Sequence, residues 1–127
     1  MNLIQTLAAP TGRVLLALLF LLAGVQKIGG YEGTLAYMTS QGVPAFMLPL
    51  VIALEVLGAL AIMVGWKTRI VAFLLAGFSL VSAALFHLQP DDAVQMTMFL
   101  KNVSIAGGFL LLVAHGAGAW SLDNRRR

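Results

Sequence analysis

The chain has 127 residues, 60% of them hydrophobic and 10% charged, a balance that an ordinary soluble domain does not carry. With no cysteine, disulfide scaffolds, thiolate metal sites, iron–sulfur clusters and thiol-exchange catalysis by the chain's own residues are excluded. The net charge of +3 sits at the ends of apolar segments and in an Arg125, Arg126, Arg127 tail, so it reads as topology signals and headgroup contacts, and no nucleic-acid partner is expected.

The first apolar segment, near residues 13–29, follows a short polar start like a secretory signal. Lys27 comes directly after "LLAGVQ" with no small-x-small cleavage pattern before a polar region, so an uncleaved span is expected. Next, "GGYEGTLAYMTSQGVP" places Tyr31, Leu35 and Met38 on one face of a short helix, an interfacial segment over 31–42 that lids one end of the bundle. Further spans are predicted near 46–65, 69–87 and 97–115, each close to the ~20 residues that cross a bilayer. "GWKTR" and "HLQPDDAVQ" join them by short links, as antiparallel neighbours require. The expected fold is all-α, a single integral membrane domain over 1–127 built as an antiparallel four-transmembrane-helix bundle.

Arg13, Lys67, Arg69 and the Arg tail fall on one side, and Glu32, Asp91 and Asp92 on the other. The basic side is expected to be cytoplasmic, which puts both termini there. Trp66 and Trp120 fit an aromatic belt on that side.

Spans pack in lipid by close contact, so small residues mark the inward faces. The expected seams are Arg13, Ala17, Phe20, Gly24 and Lys27; then Glu55, Gly58, Ala59, Ile62 and Gly65; then Arg69, Ala72, Ala76, Ser79, Ala83 and Phe86; then Lys101, Ser104, Gly108, Leu111 and His115.

Such seams explain the Gly, Ala and Ser positions but not the ionisable groups. Glu55 lies nine residues from Phe46, about 13 Å along a helix and near the midplane, where a charged acid costs on the order of 3 kcal/mol. It is expected to be paired, protonated or wetted. Lys27 and Lys101 have side chains long enough to reach it from the same half, and His87 caps the third span at that end. Two accounts stay open: a buried ion pair that fixes which helix packs on which, or an acid that handles protons or touches a ligand in a shared pocket. Lys27 equally suits interfacial snorkelling, and His87 an interface position. His87 and His115 fall at opposite faces, so bis-imidazole haem ligation within one subunit is not expected, and no metal-spaced motif is present. Arg13, Arg69 and Asp123 are expected to serve topology and packing, with Asp123 pairing Arg69 or Arg13 to tie down the C-terminal segment.

In their order and spacing, "GRVLLALLFLLAGVQKI", "ALEVLGALAIMVGWKTR", "AALFHL", "LKN" and "GAGAWSLD" resemble the DoxX family of small four-helix bacterial inner-membrane proteins. The resemblance covers nearly the whole chain. It implies residence in a prokaryotic inner membrane and a link to quinone-coupled oxidation, many members carrying the label oxidoreductase. The matching polar positions are Arg13, Lys27, Glu55, Arg69, His87 and Lys101. Without cysteine, the chain departs from four-helix quinone reductases that form disulfides.

Nothing in the residues names a reaction, and three functions stay in play. In a quinone-linked redox subunit, Glu55 accepts a proton while Lys27, Lys101 or His87 donates to carbonyl oxygens; electrons come from a redox partner protein, since the chain itself ligates no cofactor. In a small transport unit Glu55 relays a proton or cation, which four short helices support best as a homo-oligomer. In a non-catalytic membrane scaffold the polar groups only specify the fold.

Overall fold

The computed structural model describes residues 2–124. Helix α1 (Leu3–Gly29) begins ten residues before the expected span because Asn2 and Gln5 close a capping box, Gln5 N–H donating to Asn2 Oδ1 at 2.9 Å. Pro10 lies inside this extension without ending the helix. Helix α2 (Tyr31–Ser40) follows at once and buries Met38. Pro44 precedes α3 (Met47–Val64), whose Pro49 falls in the first turn, where a backbone N–H has no helical partner. At the far end of α3, Gly65 adopts φ 73° and Trp66 N–H returns to the Ala61 carbonyl at 2.8 Å. The turn is completed by Lys67 at φ 47°, the one non-glycine residue with positive φ among the described residues.

Helix α4 (Thr68–Phe86) and α5 (Ala93–His115) form the second hairpin. Helix α5 starts earlier than expected because Asp92 accepts from Val94 and Gln95 N–H at 3.0 and 3.1 Å. A single 3₁₀ turn, Leu122–Asn124, closes the described chain. The Arg125, Arg126, Arg127 tail lies outside the described residues.

The helices α1, α3, α4 and α5 are long and apolar enough to cross a membrane. Packing runs mainly α1 on α3 and α4 on α5, the two hairpins meeting across α3 and α4. The core is Ala17, Phe20, Ala59, Ile62, Ala72, Leu75, Ala76, Ala106 and Phe109, with Phe20 and Phe109 edge to face at 5.5 Å. Small residues fill much of the interior, while Leu57, Phe73 and Leu111 stand outside, the inverse of a soluble bundle.

The fourth seam needs correction. Ser104 and Leu111 are exposed, and α5 instead buries Ala106 and Phe109. The bulk of Phe109 fills the space beside Phe20, which rotates the packed face away from the line joining Lys101 to His115.

Candidate functional site

Glu55 is 3% exposed on α3, and the Lys27 ammonium lies 2.8 Å from its Oε1. No other group among the described residues donates to that oxygen. Gly24, one turn before Lys27, permits the approach. A Cβ there would stand 2.6 Å from Val56 Cγ2 and 3.2 Å from Glu55 Cβ, so only glycine lets α1 lie this close to α3. Lys101 is not the partner: Lys27–Glu55 is the one ion pair among the described residues.

A cavity of about 240 Å³ opens beside the pair at the α2 end of the bundle. Lys27, Glu55, His87 and Lys101 all line it. Four further polar residues, on which sequence reasoning placed no role, join them: Thr34 and Tyr37 on α2, Ser82 on α4 and Asn102 on α5. Phe20, Phe78 and Phe86 supply aromatic walls. The Tyr37 ring stacks on Phe86 at 5.4 Å and 29°, which holds α2 across the opening.

His87 is oriented by Gln95, a residue that no motif or periodicity singles out, whose Oε1 lies 2.7 Å from the ring Nδ1. Ser79 spends its hydroxyl proton on the Leu75 carbonyl at 2.8 Å and can only accept from a ligand. The site therefore combines an ion pair, one cation without a carboxylate and an oriented imidazole between aromatic walls. Such a space suits a small planar polar group attached to an apolar chain, and its volume is that of a head group rather than a whole lipid.

The opposite end has a different construction. Arg13 is 2% exposed, and its guanidinium donates to the Ile62 and Met63 carbonyls at 3.0 Å each and to the Trp120 carbonyl. It thus places a cation on the last turn of α3, where the helix dipole favours one, although its Nε finds no partner among the described residues. Asp123 does tie down the C-terminal segment, but not through an arginine ion pair. Its carboxylate accepts from Lys67 and Thr68 N–H at 2.6 and 2.9 Å, capping α4 from a distance, and its own N–H donates to the Gly65 carbonyl at 2.8 Å. Arg69 lies against Gly116 and shares an open cleft of about 710 Å³ with Lys67 and His115. His87 and His115 stand at opposite ends of the bundle, and no three metal-ligating side chains cluster among the described residues.

Burial pushes the Asp123 carboxyl up, but the Thr68 and Lys67 hydrogen bonds and the field of Arg13 outweigh it and hold the group below its ordinary value. A carboxyl depressed in the folded state contributes stability above its unfolded pKa, and that stability is lost as pH falls through the folded value. Hydrogen exchange at residues 117–124 should therefore speed up on acidification below the usual carboxylate range. Asp123→Asn should exchange fast at neutral pH and lose this acid dependence; an unchanged acid profile in that variant would remove Asp123 as the cause.

The chain matches the DoxX family over residues 8–88. Inner membrane protein YqjF of Escherichia coli (strain K12) is 49% identical over 123 residues, covering 97% of this chain and 95% of YqjF. Inner membrane protein YphA of the same organism is 44% identical over 120 residues, covering 89% of this chain and 86% of YphA. A Bacillus subtilis (strain 168) protein named "Putative oxidoreductase CatD" is 38% identical over 64 residues, half of this chain and 48% of CatD. No solved structure matches.

Proposed function

The chain belongs to the DoxX family of membrane proteins, and on that premise we propose that it is a redox-associated membrane subunit that holds the head group of a quinone-like lipid in the α2-end cavity. The observation that carries this reading is the convergence on a single aromatic-walled space of Lys27, Glu55 and Lys101 from three spanning helices and His87 at the end of the fourth. Lys101 is suited to donate to a carbonyl oxygen, having no carboxylate of its own among the described residues. Lys27 divides its ammonium between Glu55 and the cavity, and Glu55 is the buried acid able to exchange a proton with a ligand. In this reading electrons reach or leave the ligand through a partner protein. The name of CatD agrees with a redox role.

A permeation unit is less well supported. Ala17, Ile62, Leu75 and Phe109 are each 0% exposed and lie, along their helices, between the cavity residues and the Arg13 end. One copy thus has an apolar plug where a conducted ion needs polar contacts. We place the protein in a prokaryotic inner membrane, like YqjF and YphA, with the Arg13 end and both termini on the cytoplasmic side.

Mass spectrometry of gently extracted protein should find a quinone-like lipid retained at near-stoichiometric level. Lys101→Met should weaken its binding about tenfold, the loss of one charge-assisted hydrogen bond. If the wild type neither retains nor binds quinones, the proposed function fails and a scaffold role takes its place.

A further inference from the structure

Gln95 lies in the first turn of α5, and its own backbone N–H is fixed by Asp92 at 3.1 Å. From there its Oε1 reaches His87 Nδ1 at 2.7 Å, and no other group among the described residues hydrogen-bonds this ring. A carboxamide oxygen only accepts, so this contact is a hydrogen bond in the tautomer with the proton on Nδ1, which leaves the lone pair of a neutral His87 on Nε2. His87 is one of the residues lining the cavity, and with Nδ1 engaged by Gln95 the ring nitrogen left for a ligand is Nε2.

We propose that His87 accepts a hydrogen bond from a ligand hydroxyl through Nε2, with Gln95 the positioning residue that fixes its tautomer, so that the cavity prefers the reduced, hydroxyl-bearing form of its ligand. This reverses the sequence expectation that His87 donates to a carbonyl. The other ionisable groups sharing the cavity are Lys27 of α1, Tyr37 of α2, Glu55 of α3 and Lys101 of α5. The two ammonium groups only donate, and Lys27 already occupies Glu55 Oε1. His87 is therefore an acceptor that no side chain has claimed. A dicarbonyl ring turned toward His87 would set lone pair against lone pair, whereas a hydroquinone places an O–H there and a second oxygen toward a lysine. The inference rests on the function proposed above for the identity of the ligand, but not for the state of the ring.

The chain has two histidines, so His115→Asn leaves the His87 ring alone in a nitrogen NMR spectrum. In ligand-free protein at alkaline pH, where an imidazole is neutral, the Nδ1–H tautomer should dominate. It should give way to Nε2–H in Gln95→Leu and return in Gln95→Glu, which keeps an acceptor and guards against a folding defect in the leucine variant. A dominant Nε2–H form in the His115→Asn protein, with Gln95 unaltered, would falsify the arrangement.

A short-chain benzoquinone and its hydroquinone, titrated in parallel under reducing and oxidising conditions, test the ligand. The hydroquinone should bind roughly tenfold more tightly, the worth of one such hydrogen bond, and His87→Phe should abolish the difference between the two forms. Equal binding of the two forms overturns the hydroxyl preference alone. Binding of neither overturns it together with the proposed function, whatever tautomer the ring shows.

Discussion

Arg13→Met should destabilise the bundle by about 3–5 kcal/mol, measured as the shift in a reversible unfolding titration in mixed micelles. The guanidinium is buried and makes three charge-assisted hydrogen bonds to backbone carbonyls, two of them on the last turn of α3. Each is worth roughly 1.5–3 kcal/mol before the cost of desolvating the cation is subtracted. Methionine of similar length removes the guanidinium donor from the Met63 and Trp120 carbonyls, whereas Ile62 keeps the Gly65 N–H at 3.2 Å. Arg13→Lys keeps the charge but has a single ammonium where a planar fork reaches carbonyls from two segments, so it should recover about half of the loss or less. A methionine variant as stable as the parent would mean that the carbonyls are satisfied by water and that Arg13 is not a structural tie.

Lys27→Met should cost about 3 kcal/mol, because it strands Glu55 at 3% exposure with no counter-charge. The side chain of Lys27 is 27% exposed, which sets the effect toward the lower part of the range for a broken buried pair. The double variant Lys27→Met, Glu55→Leu should regain most of that stability, since removing both charges also removes the cost of burying them. The same double variant should no longer bind a quinone. That combination separates a ligand site from a pair that only fixes helix packing: a refolded double variant with unimpaired binding assigns the ion pair to packing alone. Substituting Lys101 instead should leave stability within about 0.5 kcal/mol, because it has no carboxylate partner to strand.

Hydropathy made the four spanning helices legible, since each apolar run has to be a helix once it lies in lipid. Their ends were less so, because α1 and α5 extend into polar sequence by capping at Asn2 and Asp92, which hydropathy does not register. Small-residue seams matched buried positions in α1, α3 and α4, apart from the exposed Arg69 at the start of α4, yet in α5 the two basic residues at the ends of the expected seam drew it away from Phe109. Depth along the chain put Lys27, Glu55, His87 and Lys101 in one half. It did not say which lysine meets Glu55, because that depends on which helices are neighbours and on the close approach that Gly24 allows. Gln95 and the partners of Arg13 left no trace at all. A lone amide near a loop has no periodic signature, and backbone carbonyls have no residue identity to recognise.

Those carbonyls also order the assembly of the protein. Two of them lie 49 and 50 residues beyond Arg13 and the third lies 107 beyond it. None of the three acceptors lies in α1 itself, so the first helix alone offers Arg13 none of these bonds. The first hairpin then satisfies two of its three bonds while α4 and α5 are still unmade. The Trp120 carbonyl closes the set, so the full complement of bonds at one side chain near the start of the chain requires the segment that follows α5.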